Sequence, residues 1–253
     1  MATPKSNVID HLDQYLRIGD IQDYPHAHNG LQVDSERSEI ARVAFAVDAA
    51  QATIDAAVGA GADLLIVHHG LFWDGAQPVT GRRYRRIKAL LDGNLALYSA
   101  HLPLDGHPEV GNNIVLAREL GVEVQGNFGD FKGLEIGVWG NMDLRREALA
   151  ARLDQTLGSR VRMIGGGPER IRKVGVITGG AGSQIDEARR AGLDAFVTGE
   201  GAHHHYFDAE EGGINLYFGG HYATEVWGLK ALADHVAETF GLETEFIDHP
   251  TGL

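Results

Sequence analysis

Residues 42–70 recur without a gap at residues 173–201. With Arg42 placed on Lys173, at an offset of 173 − 42 = 131, Val43 falls on Val174, Ala50 on Ala181, and Ile54-Asp55 on Ile185-Asp186. The same offset puts Ala57 on Ala188, Ala60-Gly61 on Ala191-Gly192, Asp63 on Asp194 and Gly70 on Gly201. Each copy reads as apolar strand, helix, glycine turn, apolar strand. Two copies make a duplication rather than a solenoid array. The apolar runs Val43 to Val47 and Leu64 to Val67 lack polar alternation, so each sheet is expected to be covered on both faces. The fold class is therefore α/β, layered and internally duplicated.

The repeat extends into the third strand of each copy. Leu97-Tyr98 resembles Leu216-Tyr217, and at an offset of 120 His101 falls on His221 and Asp105 on Glu225. Each half thus ends a strand with His-x-x-x-carboxylate, and a helix containing Leu116-Ala117 or Leu232-Ala233 follows. Helices are also expected over 7–18, 50–60, 83–91 and 112–120, the second capped by Gly61 and the last stopped by Gly121. The stretch Tyr24 to Gly30 reads as a loop, and Leu31 to Val33 as a short extended segment. A strand from Leu134 to Trp139, a helix from Leu144 to Leu157 and a strand from Val161 to Ile164 form an insert. The expected division is 1–125 and 126–253.

Composition excludes several chemistries. The 253 residues include no cysteine, which removes disulfides, thiolate metal sites, iron–sulfur clusters and cysteine nucleophiles. A formal charge of −13 disfavours a phosphate backbone as partner, so nucleic acid is not expected. The one dense basic run, Arg82, Arg83, Arg85 and Arg86, reads as a solvated helix start. Met1-Ala2-Thr3-Pro4-Lys5 has no apolar leader pattern, and no apolar run is long enough to span a bilayer. A cytoplasmic protein with no membrane association is the expectation.

Ligands in open α/β sheets bind beyond the carboxyl ends of strands. Three expected strands end in metal-ligating types: His68 and His69, then His101 and Asp105, then His221 and Glu225. Adjacent His68 and His69 would point to opposite faces of an extended strand. Either the chain turns at Gly70 to bring both to one ion, or each serves a different one of two ions, with a carboxylate bridging. Imidazole and carboxylate without thiolate suit Zn²⁺, Fe²⁺, Mn²⁺ or Ni²⁺. The run His203-His204-His205 reads either as an exposed helix start or as a substrate-facing acid/base. Glu200 and His204 are its substrate-side candidates.

Several segments together resemble a known family. They are Asn29-Gly30-Leu31-Gln32-Val33, His68-His69-Gly70-Leu71-Phe72-Trp73, His101-Leu102-Pro103-Leu104-Asp105 with Gly111-Asn112-Asn113, Thr198-Gly199-Glu200, and Gly220-His221-Tyr222-Ala223-Thr224-Glu225 with Gly228. They resemble the motifs of the Nif-three-like family of dinuclear metal proteins, also called GTP cyclohydrolase 1 type 2 homologues, in its short form. The resemblance implies two interlinked α/β subdomains with a metal site in the cleft between them, and a ring-shaped homohexamer. It implies that His69 and Asp105 bind one of two divalent metal ions, His68 and His221 the other, and that Glu225 bridges. His101 is then a further ligand or a catalytic proton relay.

The expected function is a metal-dependent hydrolase acting on a small-molecule substrate. The alternative is a non-catalytic metal-binding scaffold or metal-handling protein. No Gly-x-x-x-x-Gly-Lys-Ser/Thr phosphate loop occurs, and Gly165-Gly166-Gly167 is a weak substitute.

Overall fold

The computed structural model describes residues 2–253. Contacts gather the chain into two compact units, residues 2–104 with 229–249, and residues 105–228 with 250–253. Both are mixed α/β.

The first unit holds a five-stranded sheet in the order Glu243–Phe246, Arg42–Asp48, Leu64–His69, Ala96–Ser99, Gly30–Val33. The first four strands run parallel and the edge strand Gly30–Val33 antiparallel. Parallel neighbours need crossovers, and the helices Gln51–Gly59 and Gly81–Asp92 supply them. Ala44, Ala46, Leu65, Val67 and Leu97 from the sheet pack with Ile54, Ala57 and Leu90 from those helices into one buried cluster.

The second unit holds a six-stranded sheet in the order Glu123–Phe131, Leu134–Arg145, Arg170–Val176, Ala195–Thr198, Asn215–Phe218, Arg162–Gly165. Its three central neighbours Arg170–Val176, Ala195–Thr198 and Asn215–Phe218 are parallel, and the strands on either side are antiparallel. The core packs Val174, Val176, Val197 and Tyr217 against Leu149 and Leu153 of the helix Arg146–Leu157 and against Leu116 and Leu120.

The duplication is present at the level of individual bonds. Val43 pairs with Leu64 as Val174 pairs with Ala195, the same register at the same offset. Asp63 Oδ2 accepts from the N–H groups of Ala41 and Arg42, at 2.7 and 3.0 Å. Asp194 Oδ2 accepts from those of Arg172 and Lys173, at 2.8 and 2.9 Å. In each copy a carboxylate starting the second strand thereby ties down the amino end of the first. Gly61 and Gly192 end the two helices at φ of 71° and 68°, the left-handed values a glycine accepts without strain.

The structure departs from the sequence expectations in the insert. The strand expected to stop at Trp139 runs on to Arg145, and the helix begins at Arg146. A partner strand, Glu123–Phe131, was not expected at all. Its Gly126 and Gly129 and the register shift near Val124 break the alternation that marks a strand. The first helix spans Lys5–Tyr15 rather than 7–18. Among the described residues no helix is long and apolar enough to cross a membrane.

Candidate metal centre

Two clusters carry the expected donors, one in each unit. In the first, the strand Leu64–His69 ends on His68 and His69. Their ring centroids are 4.7 Å apart, and His101 lies 4.9 Å from His68 and 5.7 Å from His69. One ring nitrogen from each of the three comes within 4.8 Å of the others. His68 is fully buried. Trp73 stands edge-to-face against His101, with centroids 4.7 Å apart.

Gly70 takes no left-handed φ. Glycine is required there by close approach, since a Cβ would come within 2.2 Å of the Gln32 side-chain amide. Gln32 accepts the N–H of Leu71 at 2.8 Å and donates to the carbonyls of Ala27 and His28 at 3.0 and 2.9 Å. The amide thus fixes the loop that leaves His69.

A second network holds His101. Asn29 Oδ1 accepts the His101 N–H at 2.8 Å, and Asn29 Nδ2 donates to Asp23 Oδ2 at 2.8 Å. Asp23 also accepts the N–H of Leu102 at 2.9 Å and faces His101 Nδ1 at 3.0 Å. Burial alone would raise the Asp23 carboxyl, but the hydrogen bonds from His101, Asn29 and Tyr24 together hold it below its usual range. Gln32 and Asn29 explain why the Asn29-to-Val33 segment belongs to the site.

In the second unit, His221 and Glu225 lie one turn apart on the helix His221–Phe240, with His221 Nε2 3.2 Å from Glu225 Oε2. Glu225 is 3% exposed and Asp105 7%, and their nearest carboxylate oxygens lie within 4.8 Å. Asp105 Oδ1 accepts from Asn112 Nδ2 at 2.9 Å, and Asn112 Oδ1 accepts the N–H of Gly228 at 2.7 Å. Asn113 Oδ1 accepts the N–H and hydroxyl of Thr178 at 2.7 and 2.9 Å. Gly179 sits against this group at φ 66°, where a Cβ would fall 2.1 Å from Glu225 Oε1. Burial would lower the His221 pKa, but Glu225 and then Glu200 push it up to about 9. In the metal-free protein these two carboxylates favour the protonated ring of His221.

One feature unites four of these imidazoles. His68 Nδ1 donates to the carbonyl of Ala100 at 2.9 Å. His69 Nδ1 donates to Asp48 Oδ1 at 2.9 Å, His101 Nδ1 to Asp23 Oδ1 at 3.0 Å, and His221 Nδ1 to Glu200 Oε1 at 2.8 Å. An oxygen acceptor on Nδ1 sets the tautomer, so Nε2 is the nitrogen whose electron pair can bind a metal. Each acceptor also stops its ring from turning. Two close, buried carboxylates need nearby positive charge, which a divalent cation would supply. The donor set therefore fits a metal ion.

The same test separates other histidines. His204, His205 and Asp208 also bring donor atoms within 4.8 Å. Yet His205 Nδ1 accepts the N–H of Ala202 at 2.9 Å, while the His205 N–H returns to the Ala202 carbonyl at 3.1 Å. That reciprocal bond makes His205 a cap on its own turn, with its ring proton on Nε2. His107 Nδ1 likewise accepts backbone N–H groups from Glu109 and Val110, at 3.3 and 3.2 Å. His204 is exposed, its ring against His205. Glu200 lies on His221. The orienting groups Asp23, Asp48 and Thr178 were not among the expected site residues. Asp48 alone left a trace, as the polar residue ending an otherwise apolar strand.

A family model described as Duf34/NIF3 (NGG1p interacting factor 3) matches residues 4–252. A Halobacterium salinarum protein named GTP cyclohydrolase 1 type 2 homolog is 47% identical over 98% of this chain and 99% of its own. Among solved structures, protein ybgI, of unknown function, matches 99% of this chain and 100% of its own at TM-score 0.92 and 39% identity. The protein TTHA1606 from Thermus thermophilus matches at TM-score 0.87 and 38% identity, over 99% of this chain and 100% of its own.

Proposed function

The chain belongs to the Duf34/NIF3 family, and from that premise we propose that it is a dinuclear metal-dependent hydrolase. His68, His69, Asp105, His221 and Glu225 would hold two divalent cations drawn from zinc, iron, manganese or nickel. His69 and Asp105 would serve one, His68 and His221 the other, and Glu225 both. The observation that carries this reading is the shared anchoring of four Nδ1 atoms on oxygen acceptors, which presents Nε2 in every case. Bound cations of this kind supply Lewis acidity and lower the pKa of water.

The remaining roles fall to side chains. His101, with Nδ1 committed to Asp23, presents Nε2 to take a proton from a nucleophilic water and return it to the leaving group. Trp73 and Tyr24 flank its ring and limit the directions from which water approaches. Glu200 orients His221 rather than touching substrate. The substrate is a small molecule. The name carried by the Halobacterium salinarum relative points toward hydrolytic opening of a nucleotide ring. The assembly would be a ring-shaped homohexamer.

Elemental analysis of protein purified without a tag tests the reading, followed by a screen across esters, cyclic amides and nucleotides with the metal restored. Two metal equivalents per chain are expected, with turnover lost in His101→Ala while metal is retained. Metal present but His101→Ala without effect on any turnover found would remove the hydrolytic role of that residue. A metal-loaded protein that turns over nothing in the screen would favour a binding scaffold.

A further inference from the structure

The first unit also contains a cavity of about 830 Å³ that the metal reading leaves unused. Leu31, Phe72, Pro78 and Val79 form its apolar walls, and His28 and Arg83 reach its edge. The Phe72 ring is its flat surface. His28 stands edge-to-face on that ring with centroids 5.8 Å apart, and the Arg83 guanidinium carbon lies 5.9 Å from its centre. Both terminal nitrogens of Arg83 donate to the Gly75 carbonyl at 3.1 Å, so the cation is held in place without an opposing charge from that group.

Asn29 and Gln32 spend their amides on His101, Asp23, Leu71, Ala27 and His28, so they shape the cavity rather than read a ligand. Arg83 and Gln77 donate only to backbone carbonyls, those of Gly75 and Asp74, and with His28 they are the remaining polar side chains at the cavity. No Asp or Glu lines the cavity, although the chain has 35 acidic residues against 22 Lys and Arg. An acidic protein that keeps carboxylates away from one apolar cavity and fixes a guanidinium there favours an anion. Val79 and Leu31 are exposed at 53% and 38%, large apolar side chains left facing solvent at the rim. His28 holds φ at 46°, a strained value for a residue with a side chain, and strain of this kind concentrates at ligand clamps. Asn29 and Gln32 are the same residues that fix His101 and the loop after His69, which joins the wall to the histidine cluster.

We propose that this cavity binds a small molecule carrying a flat ring and an anionic group, with the ring on Phe72 and the anion toward Arg83. That this molecule is the substrate of the metal centre rests on the preceding reading, whereas the binding itself does not.

The test uses the full chain, stripped of metal and then reloaded, with two fluorescent probes. One is 8-anilinonaphthalene-1-sulfonate, a flat ring system with an anion. The other is N-phenyl-1-naphthylamine, its neutral counterpart. Saturable binding of the sulfonate at one per chain is expected, with Phe72→Ala weakening both probes. Val79→Asp should bind the sulfonate about fivefold to tenfold more weakly than Val79→Lys, and the neutral probe should not distinguish the two variants. Position 79 is exposed, and equal denaturation midpoints for the two variants keep folding out of the comparison. Sulfonate affinity that ignores the charge at position 79, or probe binding unchanged in Phe72→Ala, would overturn the proposal. Loss of probe binding with metal content intact sinks this inference alone. Metal-free protein that still binds the probe leaves it standing, whatever the metal analysis finds.

Discussion

Among single residues, the nitrogen of each ring that carries hydrogen decides which nitrogen can bind a metal. Long-range ¹H–¹⁵N spectra of metal-free protein, at a pH where the rings are neutral, should show His68, His69 and His101 as Nδ1–H tautomers and His107 and His205 as Nε2–H tautomers. Nε2–H signals from His68 and His69 would contradict the donor assignment. His221 adds a pH dependence. Its pKa stands at about 9, above the ordinary 6.5, so its proton contributes stability that is complete below pH 6.5 and lost as pH rises through about 9. Denaturation midpoints of metal-free protein should therefore fall over that interval, and less so in Glu200→Gln. A flat profile would remove the ion pairs from the description. Gly179→Ala should destabilise by about 1–3 kcal/mol, because it adds strain at a left-handed φ and drives a methyl against Glu225. A thermal melt reads this directly. The histidines and acids of the proposed donor set stand out in the sequence because they follow strands at matched positions. Asp23 does not, because its role depends on a loop folding back over His101 from 78 residues away, a distance no periodicity encodes.

Elements were legible in proportion to how cleanly they repeat. The strands Arg42–Asp48 and Leu64–His69 and their counterparts Arg170–Val176 and Ala195–Thr198 carry uninterrupted apolar runs, and the helices linking them end on glycine. The strand Glu123–Phe131 was hidden by its glycines and its half-exposed pattern, which a sheet edge tolerates and a sequence pattern does not reveal. Asp63→Ala and Asp194→Ala each strip two backbone N–H groups of their acceptor, at a cost of about 1–3 kcal/mol. Asp63 is buried and also meets Arg37 at 2.9 Å, whereas Asp194 is only half-buried, so the Asp63 variant should lose more. Urea denaturation of both variants checks the order, and equal or reversed losses would show that the two copies do not use their aspartates as described.

For the whole molecule, duplication supplies two similar sheets, and each compact unit carries one set of ligating side chains. Neither set alone has the composition of a dinuclear site: one offers imidazoles, the other an imidazole and two carboxylates. The proposed pair of cations therefore requires all five donors together. Light scattering of purified protein should give a mass about six times the 27.3 kDa chain if the proposed hexamer forms, and a monomer would set that assembly aside. The donor claim has a more direct test. Crystals of metal-loaded protein, measured above and below the absorption edge of the metal found by elemental analysis, should show two anomalous peaks touching His68, His69, Asp105, His221 and Glu225. Peaks confined to His204 and His205, or none within reach of those five side chains, would contradict it.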